Sequence, residues 1–472
     1  MKRPLLALLT LAAALGLVAA GCGGVAEQAD GTVPDSASLA PADAIAFATV
    51  TTDESSEQWQ QAADLLDRLP GAKDDLVDEV TRELRDEGLT WKDDVAPALG
   101  PEVVVVVTAD GKPIVFTKPD VGWRLDVLLA KSDTPLFNVS INGWEAIAEP
   151  QTDLDAYEAA LARGTLAGDD GLEAGFAALP EQALVRAWVD VAALTPELGR
   201  QLDQAQDLDL GVDWLSAGLA AEDDGVRLAV GVRTPGGNGT EYEPTLVSKV
   251  PADAVAALSF GGTQKTVDEI ERRFPLQDIA GKVEDLTGVS VGGVLDAFSG
   301  QGILYVRPGR RMPEVTLALE PPDPDAVWQT VDRIAHRLAA SSGTAVRTTR
   351  EDGREVSIVE VEGTTVRYAR VDDQTVVVTT GAEGIRDFAS DGDKLSGSDA
   401  YRRAADAVGL GDRTGGFLYV DVDGLVPLAE GLSGEKLSSD DMALVEKIDA
   451  FVLEASGSGD SQTLTGFLRL ND

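Results

Sequence analysis

Apolar positions along the chain follow two periods. Short apolar runs mark strands at 45–50, 103–108, 114–117, 137–141, 144–148 and 255–260, and alternation with period two marks strands at 226–232 and 463–470. Between the first two strands the period lengthens to that of a helix. Trp59, Ala63, Leu66 and Leu69 form one stripe, and Leu76, Val77, Val80 and Leu84 form a second, stopped by Gly88. Further on, Val327, Val331, Ile334 and Leu338 form a third. Asp110-Gly111 and Asn142-Gly143 sit between paired strands, where tight type I′ turns need residues that tolerate positive φ. Glu351-Asp352-Gly353-Arg354 and Asp372-Asp373 repeat the device later. Antiparallel hairpins separated by helices predict an α+β fold, each sheet mainly antiparallel with helices packed on one face.

The pattern also recurs at long range. Pro41-Ala42-Asp43-Ala44-Ile45-Ala46 returns as Pro251-Ala252-Asp253-Ala254-Val255-Ala256. Pro101-Glu102 before the valine run 103–107 is matched by Gln301-Gly302 before Ile303-Leu304-Tyr305-Val306. Leu166-Ala167-Gly168-Asp169-Asp170 is matched by Leu395-Ser396-Gly397-Ser398-Asp399, and Trp188-Val189-Asp190-Val191 by Tyr419-Val420-Asp421-Val422. Matches kept in order over such a distance predict an internal duplication of a whole domain. The expected layout is a leader at 1–21, a flexible tether at 22–39, one copy at 40–233, a linker at 234–245 and a second copy at 246–470. Turn and breaker residues from Thr234 to Thr240 mark the join.

The N-terminus carries an address. Lys2 and Arg3 precede an apolar stretch from Leu5 to Val18, and the small residues Ala19-Ala20-Gly21 lead into Cys22. That order is a secretory signal, too short for a lasting membrane span. Its ending resembles the lipobox of bacterial lipoproteins, with Ala19 where leucine is usual, which implies lipidation at Cys22 and retention on the outer face of the cell membrane. Cys22 is the single cysteine, so no intramolecular disulfide is expected and the fold must rest on hydrophobic burial. The Pro-Ala-Asp-Ala openings, the segment Val95-Ala96-Pro97-Ala98-Leu99-Gly100-Pro101-Glu102 and the Val-Asp-Val strand resemble an uncharacterised family of exported bacterial proteins, a domain of unknown function. The resemblance implies no activity, cofactor or catalytic residue.

Charge narrows the partners. Without Lys2 and Arg3 the chain keeps 37 basic residues against 81 acidic ones. Such a surface repels phosphate backbones and anionic headgroups, so nucleic acid is excluded as a partner, and the membrane is reached only through the lipid on Cys22. The acids are spread along the chain, as in a solubilising surface.

Candidate chemistry is thin. His336 is the one histidine and lies on a helix facing away from Ile334, near Asp332, which excludes Ser-His-Asp and Cys-His arrangements and zinc sites of Cys and His. The Gly-rich pieces at 235–239, Gly292-Gly293 and Gly415-Gly416 read as turns and complete no phosphate loop. Asp421-Val422-Asp423-Gly424 and the run from Asp207 to Asp213 alternate like calcium loops but lack the later bidentate glutamate. Trp59, Trp188 and Trp144 read as core or cross-strand packing. No metal, cofactor or catalytic residue is assigned. The expected function is a non-enzymatic envelope lipoprotein that binds or scaffolds an exported component. A carrier for a small ligand or lipid in a cleft between the copies, and a carboxylate-dependent hydrolase, are the alternatives.

Replacing Cys22 by serine tests the address. The variant is expected in the soluble fraction or as unprocessed precursor; mature-sized protein still in the membrane fraction would show that acylation is not the anchor.

Overall fold

The valine run from Val103 to Val106 is buried along its whole length, on both faces of its strand, and this sets the architecture. The computed structural model describes residues 31–71, 81–82, 84–132, 134–195, 211–237, 239–262, 289, 296–309, 312–434, 436–457 and 459–471. Helix and strand each account for 34% of it, and the strands pair antiparallel. Two compact units result: Met1–Gly237 with Asp460–Asp472, and Asn238–Gly459.

The first unit runs β1 (Ala46–Thr51), α1 (Glu57–Arg68), β2 (Glu102–Val107), β3 (Pro113–Thr117), α2 (Gly122–Ala130), β4 (Phe137–Ile141) and β5 (Trp144–Ala148). It continues through α3 (Gln151–Leu161), α4 (Asp170–Ala177), β6 (Val185–Asp190), β7 (Trp214–Glu222) and β8 (Gly225–Arg233). In space the strands lie β4-β5-β3-β2-β1-β6-β7-β8. Phe47, Val104, Val106, Phe116 and Trp188 pack on one face under Tyr157 of α3 and Phe176 of α4. On the opposite face Ile147 packs with Leu84, Val95 and Ala98, and with Leu125 and Leu128 of α2. Ile45, just before β1, donates to the Val107 carbonyl and accepts from Asp190.

The second unit runs β9 (Ala256–Gly261), β10 (Gln301–Arg307), β11 (Glu314–Glu320), α5 (Pro324–Ser341), β12 (Arg347–Glu351), β13 (Arg354–Val361), β14 (Thr364–Arg370) and β15 (Val376–Thr379). After these come α6 (Gly384–Ala389), α7 (Asp399–Val408), β16 (Gly416–Asp421), α8 (Val422–Ser433), α9 (Ser439–Val445) and β17 (Ile448–Ser456). Its strand order is β12-β13-β14-β15-β11-β10-β9-β16-β17. Phe388 of α6 stacks on Tyr305, and Tyr401 of α7 packs on Phe417 and Tyr419. On the other face α5 lays Val327, Ala335 and Ala339 against Leu319, Val376, Val359 and Tyr368. Val255 donates to the Val306 carbonyl and accepts from Asp421.

Several expectations change. Helices cover both faces of each sheet rather than one, because strands such as β2 and β15 are apolar on both sides. The last strand, β18 (Ser461–Leu470), expected in the second copy, pairs with β8 along nine register positions and belongs to the first unit. The flexible tether does not extend to 39: Ser36, Ala37, Leu39 and Ala40 are buried, and the Tyr157 hydroxyl donates to the Leu39 carbonyl. Nor is 234–245 a free linker, since Asn238 onward is part of the second unit and Tyr242 pairs with Thr414.

Two turns also differ. Asn142 (φ 51) with Gly143, and Asp352 (φ 48) with Gly353, have the positive angles a type I′ hairpin needs, as does the unforeseen pair Glu362-Gly363. Around Asp110-Gly111 only Gly111 is positive, and a longer loop closes through bonds between Thr108 and Lys112. Asp372-Asp373 closes differently again, with the Asp372 carboxylate accepting from the backbone of Gln374 and Thr375.

The stripes shift by a residue. On α1, Leu65 and Gln58 are buried while Trp59 and Leu66 are half-buried. Gln58 is tolerated there because its amide both donates to and accepts from the backbone of Ala221, replacing the bonds water would make. On α5 the small side chains of Ala335 and Ala339 face the sheet, with Ile334 and Leu338 at its flanks. Leu76, Val77 and Val80 lie outside the described residues.

Gly171 and Gly175, one helical turn apart on α4, let that helix settle onto the indoles of Trp214 and Trp188. A Cβ at 175 would stand 2.6 Å from Trp188 Cδ1, and the buried ring has little room to move. Gly175→Ala is therefore expected to destabilise the protein by about 1–3 kcal/mol in urea unfolding, despite the better helix propensity of alanine. An unchanged midpoint would mean that the indole relocates freely.

Candidate functional site

At one end of the second unit the segment after Asn238 lies against the sheet. Tyr242 exchanges backbone hydrogen bonds with Thr414 (2.9 and 3.0 Å). Its ring lies over Gly261, where a Cβ would come within 2.1 Å of Tyr242 Cδ1, so only glycine fits beneath it. The hydroxyl reaches Ser259 Oγ at 2.6 Å, and burial raises its pKa.

Beside Tyr242, Gln301 of β10 stands opposite Glu320 of β11 in register. The Gln301 amide donates to Glu320 Oε2 and to Thr245 Oγ1, each at 2.6 Å. Glu320 also accepts from the Thr375 hydroxyl at 3.0 Å. Past Glu320 the chain cannot continue its ladder through Pro321-Pro322, and Pro324 opens α5 at the position where a helix needs no donor. Facing these, the 371–375 loop carries Asp373 and Gln374. Burial alone would raise the Asp372 carboxyl, but the Gln374 and Thr375 backbone donors and Lys249 hold it below the usual range, so the loop stays pinned.

Together these residues bound an open groove of about 760 Å³, lined by Tyr242, Glu243, Thr245, Gln301, Glu320, the three prolines, Asp373 and Gln374. Its charge is negative. The Lys249 ammonium lies 3.5 Å from Glu320 and 3.2 Å from Asp372, so it is divided between two carboxylates. Glu243 and Asp373 form no ion pair among the described residues. Such a groove concentrates cations, while its Tyr and Pro walls offer apolar surface.

The residues singled out in the sequence do not gather here. His336 is exposed on α5, its Nδ1 2.9 Å from the Asp332 carbonyl oxygen and 3.4 Å from that carboxylate. Asp421 caps α8 by accepting from the Gly424 amide, so Val422-Asp423-Gly424 is a helix start and not a strand. Burial and the neighbouring Asp421, Asp449 and Glu446 raise Asp423. Of the other acidic run, 207–210 lies outside the described residues, and Asp213 pairs with Arg233 at 3.5 Å. Gly292-Gly293 and Cys22 are likewise outside them. Gly236 forms a turn, but Gly416 is inside β16 rather than in one.

Among the tryptophans, Trp188 is core, Trp59 is half-buried and donates to the Thr51 carbonyl, and Trp144 packs against the first unit's core. Among the described residues no group of three or more His, Cys, Asp or Glu is placed to hold a metal ion, and no helix is long and apolar enough to cross a membrane. Sequence reasoning missed the groove because its residues span 242 to 374; the one local signal was the proline run after β11.

No protein-family model matches the chain, and no curated protein matches it. Among solved structures, crystal forms IV, I and III of TP0453 align at 13, 12 and 13% identity. They cover 47, 45 and 47% of this chain and 79, 72 and 93% of theirs, with TM-scores of 0.26, 0.26 and 0.24. Likenesses that slight carry neither fold nor function.

Proposed function

We propose that the protein is an exported, lipid-anchored binding protein without catalytic activity, and that the groove of the second unit takes a cationic ligand. The observation that carries the binding reading is the groove itself. Its volume falls in the range of small-molecule sites, and three carboxylates, from Glu243, Glu320 and Asp373, share it with Tyr242 and three prolines. That lining suits an ammonium or guanidinium group attached to an apolar stem. The leader before Cys22 supports the address, since it supplies a basic start, an apolar segment and small residues ahead of the single cysteine.

The same reading includes a duplicated chain. Its support is the parallel wiring of the units: Ile45 and Val255 each bond to the second strand's end and to an aspartate that closes a later strand. Pro41 bridges Thr165 as Pro251 bridges Lys394, and the strand orders correspond from β4 to β7 and from β14 to β17.

Spermidine titrated into the mature protein by calorimetry tests the site. The paired substitution Glu320→Gln with Asp373→Asn is expected to weaken binding at least about tenfold at moderate salt. Glu158→Gln with Glu173→Gln, which neutralises two exposed acids of the first unit, is expected to leave it unchanged. Equal losses in the two pairs would reduce the binding to general attraction by an acidic surface.

A further inference from the structure

The second unit carries a bare sheet edge. Its outermost strand, β12, pairs with β13 on one side, and no strand among the described residues pairs with the other. Thr348, Thr349 and Arg350 are exposed, and the Arg347 side chain is 69% exposed. Such an edge displays a row of free N–H and C=O groups, which folded proteins blunt with a proline, a bulge or charge. β12 reads Arg-Thr-Thr-Arg-Glu, and its register with β13 runs unbroken from Arg347↔Ile358 to Glu351↔Arg354. Proline and bulge are both missing, so the two arginines are the guard. In the strand orders compared above, β14 takes the place of β4 at the edge of the first sheet, so β13 and β12 are an addition of the second unit.

The hairpin turn fixes which backbone groups point outward. Asp352-Gly353 is a two-residue turn, so Glu351 and Arg354 form a hydrogen-bonded pair. Alternation then turns the backbone groups of Arg347, Thr349 and Glu351 toward β13, and those of Thr348 and Arg350 away from the sheet. Two such edges laid antiparallel about a twofold axis at Thr349 set Thr348 of each chain against Arg350 of the other as hydrogen-bonded pairs. Thr349 then faces its own copy, and Arg347 of each chain faces Glu351 of the other. These are non-hydrogen-bonded pairs, where side chains stand closest, and the charges facing there are opposite. Moving the axis to Arg350 sets two arginines face to face, and moving it to Thr348 forfeits both Arg–Glu pairs.

The long-range field permits this contact. The chain carries 81 acids against 39 basic residues, but residues 333–370 hold seven arginines and five acids. Repulsion between copies is least at this edge, and at physiological ionic strength exposed charges farther off than about 8 Å are largely screened. Arg347 meets Glu360 of β13 at 2.7 Å, which holds its guanidinium on the face it shares with Glu351. We propose that the protein self-associates through β12, joining the second-unit sheets of two copies into one across Thr349. A ladder of five residues buries little area, so the pairing is weak and builds up only at high concentration.

Sedimentation of the mature protein from about 10 µM to about 1 mM, at moderate salt, reads the association. A concentration-dependent dimer is expected. Arg347→Glu and Glu351→Arg each set like charges in both pairs and should weaken it at least about tenfold. The two together face opposite charges again and should bring the affinity back to within about threefold of the wild type. Under mild oxidation Thr349→Cys should cross-link to its own copy, whereas Thr348→Cys, displaced by two residues from its copy, should not. A monomer throughout, a dimer indifferent to either single reversal, a double reversal as weak as the singles, or equal cross-linking at 348 and 349 would overturn the proposal. So would amides of 347–351 that respond only to an added acidic peptide such as hexaglutamate, which would give the edge to a foreign strand.

Discussion

In each unit helices press on both faces of part of an antiparallel sheet, so a polar group beneath them is cut off from water. An unmet donor or acceptor there costs on the order of 1–3 kcal/mol, a large share of a domain's stability. Some buried hydroxyls meet this constraint by pairing locally, while Thr117 Oγ1 and Ser216 Oγ are buried without a partner among the described residues. Thr316 and Thr379, each 1% exposed, bond to one another at 2.7 Å across β11 and β15. Gln58 closes on the backbone of Ala221. Glu454 meets it by accepting from the Ser456 and Thr414 hydroxyls. The C-terminal strand returns to extend the first sheet beside β8.

Some of the acids serve as backbone caps. Asp169, Asp323 and Asp421 each accept from the first turn of a helix, where the aligned peptide dipoles favour negative charge. Asp372 does the same for a loop. These acids are spent on local structure. Those at the groove, Glu243, Glu320 and Asp373, stand together on separate elements, and the nearby Lys249 is shared between Glu320 and the loop-capping Asp372.

How far the fold was legible depends on the range of the interactions. Asn142-Gly143 and Asp352-Gly353 were readable because positive φ restricts residue choice at the turn itself. The five valines of β2 were visible as a strand, but burial on both faces was the part of their message that an alternating template discards. Asp421 was legible as the end of a strand, but its capping of α8 was not, because capping depends on where the helix begins, one residue later. Tyr242 was read as linker since its partner, Thr414, is remote in sequence. The groove was not legible for the same reason: Gln301, Glu320 and Asp373 carry no shared motif and meet only when β10, β11 and the 371–375 loop are in place.

The central claim is that the acidic surface contains one site and not merely a diffuse field. Amide chemical-shift mapping of the labelled mature protein with spermidine addresses it most directly. The account predicts saturable shifts centred on 242–245, 300–301, 320 and 373–374. Shifts that grow without saturation and spread over exposed acids of both units would contradict it.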